Sequence, residues 1–178
     1  LMTSIYGLKA AGLHEGPRGT NLLDSGSPYY EVYECADGKY VSIAAIEIKF
    51  REELFDKMGL PMEWLARSKD RSQWPALRDA LTHRFKEKTR DQWCDILEGS
   101  DACFAPVLSM AEAPGHPHHR ARHGFVTIEG QSQPGLTPRF GRTQAPVPTG
   151  PEAPGESDEA AMLEWGYSAQ EITALRQS

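Results

Sequence analysis

An α+β fold is predicted for this chain of 178 residues on three observations. Two short segments rich in aromatic and β-branched residues flank a turn sequence, apolar residues then recur at helical spacing, and a proline-dense stretch separates that part from two short helical segments. The expected organisation is a helical then loop-like connector at 1–29, a small α+β domain at 30–125, and a Pro-rich connector with a C-terminal helical tail at 126–178.

The opening run LMTSIYGLKAAG reads as the end of a helix without an opening of its own, which suggests a truncated chain. Gly16, Pro17, Gly19 and the run Ser25-Gly26-Ser27-Pro28 then read as loop. Tyr30 to Cys35 and Tyr40 to Ile46 are strand-like, and Ala36-Asp37-Gly38-Lys39 between them has turn chemistry, so a β-hairpin is expected. Val41, Ile43 and Ala45 share one face of its second strand. A helix from about Ile48 to Met58 follows, with Phe50, Leu54 and Met58 at helical spacing and Gly59 as its stop.

Ser72 is placed as the cap of a helix whose stripe is Trp74, Leu77, Leu81 and Phe85. Thr89-Arg90-Asp91-Gln92 reads as a capping box opening a third helix that ends near Gly99. Trp74 and Trp93 lie on apolar helical faces and are read as core. Ala102 to Leu108 is expected as a strand, with Pro106 confining it to an edge or an irregular stretch. From Pro114 to Gly155, which holds most of the 13 prolines, an extended connector is expected; one helical piece then precedes Gly166 and another is opened by Ser168-Ala169-Gln170-Glu171.

A net charge of -6, a pI near 5.5 and dispersed Lys and Arg argue against a nucleic-acid surface. No apolar run approaches the roughly 20 residues that span a bilayer and no secretory signal opens the chain, so a cytoplasmic protein without a membrane partner is expected. Cys35, Cys94 and Cys103 form no C-x-x-C pair and are read as reduced thiols, Cys103 as a packed small hydrophobe. His116, His118, His119 and His123 crowd into eight residues, but prolines and glycines interrupt them and no Cys or acidic ligand follows at fixed spacing; no metal site is assigned. Phosphate-loop, dinucleotide, zinc-hydrolase and serine-hydrolase signatures are absent.

Glu47 stands where the second hairpin strand runs into the helix. On its own such a carboxylate is accounted for by the dipole of the helix it opens, an effect of about 0.3–1 kcal/mol. A further role comes from resemblance. The stretches RGTNLLDSGSPYY, CADGKYVSIAAIE and KTRDQWCDILEGSDACFAPVL resemble the middle and C-terminal part of the alpha-methylacyl-CoA racemases, within the CaiB/BaiF or family III CoA-transferase group. The match runs from about Pro17 to Leu108, continues more loosely to the terminal LEWGYS, and covers about half of the family's polypeptide.

That resemblance implies the small domain of the family III CoA-transferase fold, and a reaction that inverts C2 of a 2-methylacyl-CoA thioester by removing its proton and returning one to the opposite face. The family's Gly-Ala-Ile-Glu matches Ala44-Ala45-Ile46-Glu47, which makes Glu47 the carboxylate that assists a catalytic histidine. Tyr30 and Ile46 are implied to line the acyl pocket, and Leu23 and Asp24 match a neighbouring Leu-Asp; for Tyr30 a simple strand start and for Asp24 a turn-capping carboxylate are the alternatives. Ser25 and Ser27 replace the family's Gly and Ala, and Ile48-Lys49 replace Pro-Gln.

The family's histidine and aspartate lie in G-H-D-I-N-Y and A-D-F motifs, neither of which occurs here. The implied partners are therefore an acyl-CoA substrate, an N-terminal large domain outside this chain and a second copy in an interlinked homodimer. The implied cofactor list is empty, coenzyme A being part of the substrate. This chain alone is expected to be inactive. A CoA-transferase of the same fold, or a non-catalytic assembly module, stays open beside the racemase.

Overall fold

The computed structural model describes residues 2–143, 145–146 and 148–177, and Leu1 of the opening helical run lies outside them. The chain divides into two compact units, 1–109 and 110–178. The division falls before the boundary expected at 125/126, which cuts into a strand described below.

The first unit opens with α1 (Thr3–Ala10), which buries none of its side chains, and a loop closed on itself around Asn21. The hairpin follows as β1 (Tyr30–Glu34) and β2 (Tyr40–Ala44), paired antiparallel with Tyr30 opposite Ala44 and Glu34 opposite Tyr40. Gly38 takes a φ of 74° in the turn, a conformation that costs glycine little. β2 is the central strand, because β3 (Phe104–Pro106) pairs with its other edge, also antiparallel.

Alternation gives the sheet a buried face carrying Tyr33, Val41 and Ile43, and an outer face carrying Tyr30, Val32, Ser42 and Ala44. Helices cover the buried face. In α2 (Ile48–Met58) Leu54, Phe55 and Met58 are fully buried, and Gly59 ends it at φ 66°. In α4 (Trp74–Phe85) the expected stripe of Trp74, Leu77, Leu81 and Phe85 is the buried face, and in α5 (Arg90–Leu97) Trp93 and Leu97 are buried. Burying each Leu, Phe or Met of this set is worth about 1.5–3 kcal/mol relative to exposure.

The core tryptophans are anchored as well as packed. Trp93 donates its indole N–H to the Phe85 carbonyl at 3.0 Å, and Trp74 donates to the Ser68 carbonyl at 2.9 Å. The Thr89–Gln92 capping box is reciprocal: Thr89 Oγ1 accepts from the Gln92 N–H at 3.3 Å, and Gln92 Oε1 accepts from the Thr89 N–H at 2.9 Å. Arg90, buried at the start of α5, then ties two distant pieces together through its N–H to Asp37 Oδ1 (3.2 Å) and Nη1 to the Val107 carbonyl (3.1 Å).

Three expectations are corrected. Ser72 does not cap α4: Asp70 accepts from the Ser72 N–H at 2.9 Å and opens a 3-10 turn, Arg71–Gln73, that leads into the helix. The short helix α3 (Glu63–Arg67) was not anticipated. Part of the supposed extended connector is regular: in the second unit α6 (Pro117–Ala121) precedes a hairpin of β4 (Phe125–Ile128) and β5 (Gln131–Pro134). Its turn is Glu129-Gly130, with φ of 49° and 78°, so both central residues have positive φ as a tight hairpin turn requires.

That unit ends with α7 (Asp158–Glu164) and α8 (Ala169–Gln177), Gly166 lying between them at φ 93°. The expected box at Ser168 forms, the Ser168 N–H donating to Glu171 Oε2 at 2.8 Å and the Glu171 N–H to Ser168 Oγ at 3.3 Å.

Candidate active site

Glu47 is the N-cap of α2, in extended conformation (φ -75°, ψ 142°), and exposed. Its side chain makes no capping bond to its own helix, although the dipole of that helix still favours a carboxylate there. Two residues earlier the chain leaves the sheet: the Ala44 N–H still bonds across to the Cys103 carbonyl at 2.9 Å, and the Ile46 N–H turns back to the Ala44 carbonyl at 2.8 Å. The carbonyls of Ala45 and Ile46 are thereby left without strand partners.

Arg51 supplies them. Its Nε donates to the Ala45 carbonyl at 3.1 Å, Nη2 donates to the Ile46 carbonyl, and Nη1 donates to Ser68 Oγ at 2.7 Å, while its main-chain N–H donates to the Glu47 carbonyl at 3.1 Å. The guanidinium carbon stands 3.3 Å from the centre of the Tyr29 ring, which in turn meets Trp74 edge-on at 5.9 Å. Burial disfavours the charge of Arg51 and lowers its pKa, an effect opposed by Tyr29. Sequence reasoning missed this residue, although a signal existed: Arg51 occupies the i position of the i, i+3, i+4, i+7 stripe completed by Leu54, Phe55 and Met58.

Cys103 lies beside the same junction, with a φ of 52° that a non-glycine residue adopts at a cost of about 1–3 kcal/mol. Its thiol is pushed up first by burial and next by the charge of Glu47. All three cysteines are free thiols, and burial pushes Cys35 and Cys94 each to about 11.

The other sequence candidates fall into two groups. Tyr30, half-buried, starts β1 opposite Ala44, so it and Ile46 stand at the end of the sheet from which Glu47 emerges; three residues of strand-like chain from Ala44 reach at most about 10 Å. Leu23 and Asp24 belong to the loop around Asn21. Asp24 accepts from the Asn21 N–H at 2.7 Å and from Asn21 Nδ2 at 2.9 Å, and these bonds, the side-chain one foremost, hold its carboxyl below the usual carboxylate range. Leu23 is exposed and lines an apolar cavity of about 270 Å³ with Leu8, Leu13, His14, Leu22, Arg71 and Trp74.

In the second unit the His116 Nδ1 accepts from the His118 N–H at 3.3 Å, and the His119 ring meets Phe125 edge-on at 5.5 Å. Among the described residues no group of three or more His, Cys, Asp or Glu side chains is placed to hold a metal ion. No helix among them is long and apolar enough to cross a membrane.

The class follows from the sequence as a whole: residues 1–157 match the model of CoA-transferase family III, and the chain belongs to that family. Among curated relatives, the alpha-methylacyl-CoA racemases of Mus musculus and Homo sapiens are each 36% identical over 178 residues, covering 98% of this chain and 46% of theirs. A CaiB/baiF CoA-transferase family protein of Caenorhabditis elegans is 30% identical over 105 residues, 59% of this chain and 29% of that one. The crystal structure of a CAIB/BAIF family protein from Brucella suis superposes with a TM-score of 0.65 at 20% identity, covering 92% of this chain and 44% of that chain. The family and the α+β fold class expected from the sequence are thus both found, and the chain spans about half the length of the curated relatives it matches.

Proposed function

We propose that this chain is the C-terminal part of a racemase that inverts C2 of 2-methylacyl-CoA thioesters. The observation that carries the reading is Glu47: an exposed residue at a strand-to-helix junction whose carboxylate makes no capping bond to the helix it opens. The 36% identity to two racemases along the chain supports the same reading.

In the mechanism, a histidine supplied by polypeptide outside these residues removes the C2 proton, the thioester carbonyl takes up the electrons as an enolate, and a carboxylic acid on the opposite face returns a proton to C2. Reprotonation from that face inverts the centre with no net gain or loss of protons. Glu47 hydrogen-bonds the imidazole, fixes its tautomer and stabilises the imidazolium formed during abstraction. Tyr30 and Ile46 flank the acyl group, with Leu23 and Asp24 nearby. The mechanism invokes no metal or redox group, coenzyme A arrives with the substrate, and the site is completed in an interlinked homodimer.

The test uses the full-length protein with a 2-methylacyl-CoA in D₂O, reading deuterium at C2. Glu47→Gln is expected to lower exchange by about 100-fold, the lower end of the range for a group in acid–base catalysis, with the fold unchanged. Undiminished exchange removes Glu47 from the mechanism. Exchange catalysed by these 178 residues alone would show that the histidine and aspartate are not needed. The alternative of CoA transfer, for which the family model is named, is read in the same assay by adding a labelled free acid and following its appearance as thioester.

A further inference from the structure

We infer that Arg51 is the positioning residue for Glu47, its guanidinium holding the strand-to-helix junction in the course that presents the carboxylate to its imidazole partner. The inference rests on the racemase reading above and deepens it.

Arg51 touches three consecutive residues that end at Glu47. Its side chain reaches the carbonyls of Ala45 and Ile46, and its main-chain N–H reaches the carbonyl of Glu47 itself. The same side chain is pinned at its far end by Ser68 Oγ and across its face by the Tyr29 ring. Ser68 is in turn fixed, donating its hydroxyl to the Leu65 carbonyl at 2.8 Å. One side chain therefore links the exit of β2, the first turn of α2, the end of α3 and the residue next to Tyr30.

Burial works against a cation there, and the Tyr29 ring under the guanidinium offsets only part of that. The residue is 3% exposed and sits in the first turn and a half of a helix, where the dipole opposes positive charge, and its acceptors are two carbonyls and a hydroxyl rather than a carboxylate. What the guanidinium adds is a planar set of donors whose spacing matches two successive carbonyls and a hydroxyl, a match that a lysine ammonium lacks. Geometry, not charge pairing, is the function that remains. Displacing a reacting group by about 1 Å can cost on the order of 100-fold in rate.

The experiment is a double-mutant cycle on the full-length protein, reading C2 deuterium exchange. Arg51→Lys is expected to lower kcat by about 10- to 100-fold with KM within about twofold. In the Glu47→Gln background it should cost no more than about a further twofold, because a residue that acts through Glu47 has nothing left to position. Losses that multiply independently, or an effect on KM alone, overturn the proposal while leaving the racemase reading intact. Should Arg51→Lys fail to fold, Ser68→Ala decides: an exchange loss of about 3- to 10-fold that vanishes in the Glu47→Gln background supports positioning, and unchanged kcat overturns it. A wild-type protein without exchange overturns both the proposal and the reading beneath it.

Discussion

Replacing Trp74 by Phe probes the joint between the loop carrying Leu23 and the helical cover of the sheet. Trp74 is 9% exposed, donates its indole N–H to the Ser68 carbonyl at 2.9 Å, and meets Tyr29 edge-on. Phenylalanine keeps a ring against Tyr29 but removes the donor, leaving the carbonyl of the buried Ser68 without it. An unsatisfied buried acceptor costs about 1–3 kcal/mol, and the volume lost with the smaller ring adds to it, so about 2–3 kcal/mol is expected altogether. For a chain of this length that lowers Tm by about 5–10 °C. Urea unfolding followed by far-UV circular dichroism gives the free energy, and the midpoint should move without a change of slope. Trp165→Phe is the control, since that indole is 83% exposed. A Trp74→Phe loss below about 0.5 kcal/mol, or one no larger than the control's, would refute the argument from the Ser68 carbonyl.

Two further outcomes follow. Because the Asn21 bonds depress the Asp24 pKa, its contribution to stability is fully present above the unfolded carboxylate pKa and is lost as pH falls through the folded value; Asp24→Asn should flatten the acid limb of a stability–pH profile and leave its shape near neutrality alone. Cys103 should react with iodoacetamide at pH 8 more slowly than an unstructured thiol, and Glu47→Gln should speed it by removing one of the two leading causes of its raised pKa, after burial. An identical labelling rate in wild type and Glu47→Gln would place the carboxylate out of reach of the sulfur.

Local signals carried far in this chain. The hairpin turn, the α2 bounds and its glycine stop, the Thr89 and Ser168 boxes and the buried stripe of α4 are all set by residues within a turn or two of one another. Where the reading failed, a neighbour competed. Asp70 outcompeted Ser72 because its carboxylate reaches the Ser72 N–H and starts a 3-10 turn first. The β4–β5 hairpin was hidden by the prolines around it, although Phe125, Val126 and Ile128 before Glu129-Gly130 carry the strand-and-turn pattern. Glu47 was located as a residue through a motif, but Arg51 was legible only as an anomaly, a cation on an apolar stripe. Its partners at 29, 45, 46 and 68 come together only when the sheet and the helices pack.

β3 shows how one residue can close off a surface. The inward bonds of that strand are made by odd-numbered positions, the Cys103 carbonyl accepting from Ala44 and the Val107 N–H donating to the Tyr40 carbonyl, so the amide positions of 104 and 106 face away from β2. At 106 the outward position is a proline and has no hydrogen to offer. A foreign strand laid along this border would meet a gap in the row of donors it needs, which discourages chain-to-chain zippering at this side of the sheet.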